Sequence, residues 1–342
     1  MEDRSWKIAD GWESSSSSDA AARAGMLLDL VGEAIPNVKF QGRGRLPDVH
    51  PPSSILRPPS SSPKNHPRRK TVAGERAAIA RRMLADCHFC AHHCGVNRMT
   101  GELGICRATA NPRFFLAQTE VTDELELIPT FAIALSGCDM RCDFCITGRE
   151  SWNPGIGRSF SAGKIARLAE AALNEGARTI MILGGEPTIH LHAALELVAL
   201  LPDTARLVWK TNAHGSAPAR ALLEGMFDVW LADFKFGNDI CARRLAKIPN
   251  YTEIVTENLL WANAHSELMV RHLLMPGHIQ CCWEPVAQWL GEHLPGVKVN
   301  LRTGFWPAWR AGRHTELSGT VPAGEAGQAQ KIAEIYGLNL VP

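Results

Sequence analysis

Three cysteines, Cys138, Cys142 and Cys145, fall within eight residues, spaced C-x3-C-x2-C, directly after the apolar run of residues 131–135. The run reads as a buried strand, and Ser136-Gly137 as the start of the loop that leaves it. Thiols so spaced on one loop can converge on three irons of a [4Fe-4S] cluster and leave the fourth iron without a protein ligand. Zinc is the competing occupant. A structural zinc wants four closed ligands, however, and no further Cys or His follows within a dozen residues, so the spacing favours the cluster.

A second set precedes the first: Cys87, Cys90, Cys94 and Cys106, punctuated by Gly95, Gly101 and Gly104. It reads as a closed four-cysteine site for zinc or a second iron–sulfur cluster, with His88, His92 and His93 surplus to a filled tetrahedron. The remaining cysteines, Cys241, Cys281 and Cys282, read as small core residues. Ten cysteines divided this way suggest metal ligation in a reducing compartment, hence the cytoplasm, rather than a disulfide frame. The formal net charge of +1 offers no electrostatic footprint for nucleic acid or a membrane surface. The start shows no secretory signal, and no window reaches the ~20 apolar residues of a membrane span.

Composition divides the chain into four parts. Residues 1–80 are a Ser/Pro-rich arm predicted to be disordered, with a homopolymer at Ser14–Ser18, a short apolar patch at Met26–Val31 and a basic run, Arg68-Arg69-Lys70, read as solvated. Residues 81–124 form the Cys-rich leader, 125–310 a domain of alternating strands and helices, and 311–342 a tail with a helix. Within 125–310, apolar runs at 131–135, 179–183, 207–209, 227–232, 268–273 and 297–301 predict six strands. Helical periodicity between them, clearest at 161–176 and 189–201, makes the fold α/β with a parallel sheet of βα units.

In such folds the reacting groups lie on the loops leaving the strand C-termini, and here those ends are polar. The second ends in Gly184-Gly185-Glu186-Pro187, where two glycines permit close approach of a ligand. The third ends in Lys210-Thr211-Asn212 and the fourth in Asp233-Phe234-Lys235, whose two charges on their own would read as an exposed pair. The fifth carries Arg271, a bidentate partner for a carboxylate or half of a buried ion pair, and continues to His278, placed for proton transfer or simply in a turn. The sixth carries Asn300. Trp152, Trp306 and Trp309 could form an apolar lid, though packing against the barrel is the commoner use of such residues.

The cysteine loop, with Phe144 just before the last Cys, resembles the cluster loop of the radical S-adenosylmethionine (SAM) superfamily. The leader's Gly95-Val96-Asn97-Arg98 and Gly101–Cys106 elements resemble those of a subgroup similar to pyruvate formate-lyase activating enzymes. The resemblance implies a partial (β/α)6 TIM-type barrel, a [4Fe-4S] cluster on Cys138, Cys142 and Cys145, and SAM on its open iron. It places Gly184, Gly185 and Glu186 near the amino group of SAM, Asn212 near its carboxylate and ribose, and Asp233, Lys235 and Arg271 around the pocket. It further implies reductive cleavage of SAM to a 5′-deoxyadenosyl radical, a one-electron donor such as flavodoxin or ferredoxin, and hydrogen abstraction from a protein glycine or a small molecule. The chain departs from the subgroup at residues 146–150 and 302–309, both near where substrate would approach. The rival readings are a two-cluster electron-transfer protein and a zinc-binding interaction module.

Overall fold

Each apolar run expected to be a strand is one, and the computed structural model, which describes residues 69–342, adds three more. In chain order they are β1 (Arg113–Glu120), β2 (Thr130–Leu135), β3 (Arg158–Ser159), β4 (Thr179–Gly184), β5 (Leu207–Thr211), β6 (Val229–Asp233), β7 (Glu267–Leu273), β8 (Lys298–Arg302) and β9 (Asn339–Leu340). They form one sheet in the order β3-β1-β2-β4-β5-β6-β7-β8-β9. Pairing is parallel from β2 through β9, whereas β1 and β3 run antiparallel at one edge. The edges β3 and β9 do not pair with each other, so the barrel is open.

The helices are α1 (Arg69–Arg82), α2 (Gly148–Trp152), α3 (Ala162–Asn174), α4 (Leu191–Val198), α5 (Ala217–Leu223), α6 (Asp239–Ala246), α7 (Tyr251–His265), α8 (Glu284–His293) and α9 (Ala323–Ile335). Among the described residues, no helix is long and apolar enough to cross a membrane.

Strand parity positions the site. Ile180 and Ile182, Leu207 and Trp209, Trp230 and Ala232, and Leu268 and Val270 join the large core shared with the helices. Their alternates Met181, Val208, Val229, Leu231 and Met269 form a separate apolar floor with Leu127. Full burial of a large apolar side chain contributes about 1.5–3 kcal/mol, so both faces resist a one-residue slip. Continuing the second parity past the floor reaches Lys210 and Asn212, Asp233, Arg271 and Asn300, which therefore line the inner face toward the C-terminal mouth. Register levels them: Asp233 pairs with Arg271, and Arg271 with Asn300.

The boundary expected for the N-terminal arm needs correction. Residues 69–80 belong to α1, which buries Ala73, Ala77 and Ala80. Small side chains at helical spacing permit close packing, and the Cβ position of Gly74 lies 3.9 Å from that of Ala199, just after α4. Arg69, expected to be solvated, is buried: it pairs with Asp228 at 3.0 Å and donates to the carbonyls of Asp203 and Ala205 at 2.9 and 2.6 Å. An alanine stripe carries little hydropathy contrast, and the partner of Arg69 is 159 residues away, so neither signal is local. Ser14–Ser18, Met26–Val31 and Arg68 lie outside the described residues. The helix expected at 189–201 is shorter, because a 3-10 turn at Pro187–His190 precedes α4.

Candidate active site

The cysteine loop leaves β2 beside the glycine turn that leaves β4. Gly184 has φ +154°, and a Cβ there would lie 2.1 Å from the carbonyl oxygen of Leu135; one on Gly185 would lie 2.1 Å from that of Gly137. The two glycines are therefore required for the backbones to touch, and Glu186 N–H closes the contact on the Gly137 carbonyl at 2.9 Å.

Glu186 is buried, and its carboxylate braces three segments. Oε1 accepts from Thr188 N (3.0 Å), Thr188 Oγ1 (2.5 Å) and Thr211 Oγ1 (2.8 Å), and Oε2 from Asn212 N (2.7 Å). Hydrogen bonds to a charged group contribute roughly 1.5–3 kcal/mol each, so this is a rigid strut. Burial first, and then the charge of nearby Asp139, push its pKa up to about 7.

Asn212 extends the strut to the cysteine loop. Its Nδ2 donates to Asp139 Oδ1 at 2.7 Å and lies 3.7 Å from Cys138 Sγ, while its Oδ1 accepts from His214 N at 2.9 Å. Asp139 also accepts from His214 Nδ1 at 2.7 Å, and its carbonyl from His92 Nε2 at 3.0 Å. Burial opposes the Asp139 charge, but the hydrogen bonds from His214 and Asn212 and the proximity of His92 hold its pKa below the usual carboxylate range. Asp139 and His214 were missed in the sequence, where an Asp between two motif cysteines and a His one residue beyond Ala213 carry no periodic signal.

Cys138 and Cys142 are buried and Cys145 half-buried. Burial pushes the Cys138 thiol up, reinforced by Asp139, and takes that of Cys142 up to about 12 despite the opposing charge of Lys235. Among the described residues, neither this trio nor the leader set brings three sulfurs within 4.8 Å of one another.

The inner face of the barrel also holds a charge cluster of half-buried side chains around the buried Glu124. Lys235 pairs with Asp233, whose Oδ1 lies 3.8 Å from Arg271 Nε; Arg271 also reaches Glu124 at 3.3 Å, and Lys210 reaches Glu124 at 3.7 Å. Glu124 comes from the loop between β1 and β2, outside every strand end inspected in the sequence. Burial, then the Arg271 charge, lower the pKa of Lys210 to about 8. Asn300 donates to the carbonyl of Val341 at 3.4 Å. His278 closes the turn with Met275, and its Nε2 accepts from Arg244 at 3.3 Å.

The leader docks on this framework. Cys90 bridges to Gly215, Ala91 N donates to His214 O at 3.0 Å, and Ser216 N to Phe89 O at 3.0 Å. Arg98, 1% exposed, donates to the carbonyls of Ile189 (2.7 Å) and Thr109 (2.6 Å) and lies 3.6 Å from Cys87 Sγ. The two departures from the subgroup pattern meet each other: a Cβ on Gly148 would lie 2.6 Å from the ring of Trp309, which sits 5.9 Å from Trp152. Cys241 and Cys282 are buried in the core, as expected, and Cys281 packs against it half-buried; their three sulfurs also converge, which the sequence does not show.

The radical SAM superfamily model matches residues 133–290, from β2 into α8. This chain belongs to the radical SAM superfamily. Membership implies a [4Fe-4S] cluster, SAM and a source of reducing electrons. This radical SAM protein is 30% identical over 273 residues to an uncharacterized protein of Methanocaldococcus jannaschii, covering 77% of this chain and 78% of that one. It is 32% identical over 104 residues to a 7-carboxy-7-deazaguanine synthase of Methanothermobacter thermautotrophicus, 30% of this chain and 40% of that one. Among solved structures, a radical SAM methyltransferase from Sphaerobacter thermophilus aligns with a TM-score of 0.46 at 18% identity, over 61% of this chain and 65% of that one. Streptococcus suis SuiB bound to S-adenosylmethionine aligns with a TM-score of 0.46 at 14% identity, over 60% of this chain and 47% of that one. The chain thus spans about half the length of SuiB.

Proposed function

We propose that this radical SAM protein is an enzyme similar to glycyl-radical-enzyme activases, with Cys138, Cys142 and Cys145 holding the [4Fe-4S] cluster and the inner-face strand ends holding SAM. The observation that carries the reading is the buried Glu186–Asn212–Asp139 strut, which ties the glycine turn, the end of β5 and the cysteine loop into one cup. When bound there, the cluster and SAM supply a one-electron cleavage of a carbon–sulfur bond and a 5′-deoxyadenosyl radical that removes a hydrogen atom.

The residues fit that pair of groups. Three thiols on one loop with sulfurs apart suit separate irons of a cluster, whereas ligands of a single tetrahedral zinc stand about 3.8 Å from one another at Zn–S of about 2.3 Å. Cys87, Cys90, Cys94 and Cys106 would hold zinc or a second cluster. The Glu186 carboxylate already has protein donors, so it braces the Gly184-Gly185 backbone that meets the SAM amino group. Asn212 holds the cysteine loop through Asp139. Asp233, Lys235 and Arg271, paired among themselves and with Glu124, would offer fixed charges to the polar groups of SAM. The open side of the barrel admits a protein loop, which favours a partner-protein glycine as hydrogen donor over a small molecule.

The deciding experiment is anaerobic reconstitution with iron and sulfide, then incubation with SAM and a strong reductant. 5′-Deoxyadenosine appears, and is lost in Cys142→Ala. A reducible cluster that leaves SAM intact would instead indicate an electron-transfer protein, and a colourless zinc-loaded chain an interaction module. Adding a candidate partner labelled with deuterium at glycine transfers the label to 5′-deoxyadenosine if the donor is a protein glycine.

A further inference from the structure

Cys241 lies in the first turn of α6, just past the end of β6; Cys281 and Cys282 lie in the π-helical turn Ile279–Trp283 that leads from β7 into α8. Nearly forty residues separate them, and they share no motif spacing. Even so, their three sulfurs lie within 4.8 Å of one another, with those of Cys281 and Cys282 at 3.9 Å, and none is in a disulfide.

The two loops are held together by contacts that do not involve the sulfurs. Gly237 is pressed against the second loop so closely that a Cβ on it would lie 2.5 Å from the Cys282 carbonyl oxygen. Asn238 Nδ2 donates to the carbonyl of Cys281 at 2.5 Å, and Asn238 Oδ1 accepts from Cys241 N at 2.8 Å. The same amide nitrogen lies 3.4 Å from Cys241 Sγ, a donor placed to support a thiolate. A backbone built this way presents three thiols to one point, and π-turns of this kind are frequent at functional sites.

We propose that Cys241, Cys281 and Cys282 form a metal site, distinct from the two motif-spaced cysteine sets, that binds one thiophilic d10 ion of the Zn2+ class and staples the loops after β6 and β7 at the barrel rim. The Cys281–Cys282 separation of 3.9 Å is close to the about 3.8 Å that a tetrahedral ion with Zn–S of about 2.3 Å sets between its sulfurs, and the Cys241 sulfur lies within 4.8 Å of both. Binding releases the three thiol protons and leaves one net negative charge on the complex. His278 stands one turn before Cys282 but outside the convergent set, and Cys281 is half-exposed, so water takes the fourth position. This inference stands apart from the SAM chemistry, because it draws on neither the cysteine loop nor the leader.

The test uses the full chain, reconstituted anaerobically with iron and sulfide so that the other cysteine sets are loaded, then exposed to Zn2+, desalted and analysed for both metals. Wild type holds about one zinc per chain more than Cys281→Ser and more than Cys241→Ser, with iron unchanged and 5′-deoxyadenosine yield within about twofold. Equal zinc in wild type and both variants overturns the proposal. So does a disulfide among the three in protein trapped with a thiol-blocking reagent from reducing lysate. Should Cys241→Ser fail to fold, half-exposed Cys281 carries the test alone.

Discussion

The molecule gathers two cysteine trios at the mouth end of its strands by opposite routes. Cys138, Cys142 and Cys145 are neighbours in sequence, yet their three sulfurs do not gather within 4.8 Å of one another, on a loop that Asp139, Asn212 and Glu186 brace. Cys241, Cys281 and Cys282 are scattered in sequence, yet their sulfurs converge. Closeness along the chain therefore does not forecast closeness of the donors. A multi-iron cluster needs its ligands spread over separate metal atoms, and a single ion needs them drawn to one point.

The largest effect expected is at the cysteine-loop trio. Cys142→Ala should remove 5′-deoxyadenosine formation down to the no-enzyme background and lower the iron content, whereas Cys281→Ser should do neither; equal damage from both would erase the distinction drawn between the trios. Next comes the strut. Asn212→Ala removes the donor to Asp139 and the 3.7 Å contact with Cys138 Sγ but leaves all three thiols in place, and support of this kind behind metal ligands is typically worth 10–100-fold, so SAM cleavage should fall by about that factor while most of the iron is retained. A variant with full activity would show that the loop is rigid without it.

Arg98→Ala should act on stability. It strips a buried donor from the carbonyls of Ile189 and Thr109, at about 1–3 kcal/mol for each buried group left unsatisfied, read as a lower denaturant midpoint. The last effect is in acid, where it builds up over several pH units. Burial lowers the pKa of both His190 and His192 to about 3, and their Nε2 atoms hold the carbonyls of Ser136 and Ala110. The folded pKa lies below the unfolded value of about 6.5, so the unfolded chain binds more protons in that window. Their stabilising contribution is complete above pH ~6.5 and is lost as pH falls toward 3, with a slope of up to about 1.4 kcal/mol per pH unit for each. Urea midpoints at several pH values should show a shallower acid decline in His192→Gln than in wild type; identical slopes would mean that these histidines do not anchor the scaffold.

Much of the barrel was legible in the chain. A strand covered on both faces must be apolar along its length, so each parallel strand appears as a run that needs no knowledge of its neighbours. The glycine pair after β4 was legible as well, since only residues without a Cβ allow that approach. The antiparallel strand β1 was not: its alternation is irregular, with a register shift near Phe114 and Leu116, and it pairs at an edge. Helix α1 escaped because alanine shows almost no hydropathy contrast. In the site, Glu124 was invisible because a lone carboxylate in a loop looks solvated until Lys210 and Arg271 are seen beside it.

By itself the sequence determined the βα alternation, the three-cysteine loop and the polar strand ends, because these follow from local periodicity and spacing that any fold must respect. Only the tertiary structure decided that Asp139 and His214 brace the cysteine loop, that Arg69 is buried, and that Cys241 meets Cys281 and Cys282. Those pairings are made by chain segments that packing alone brings together. A contact between residues far apart in sequence leaves no mark on either one until the sheet register and the loop paths are set.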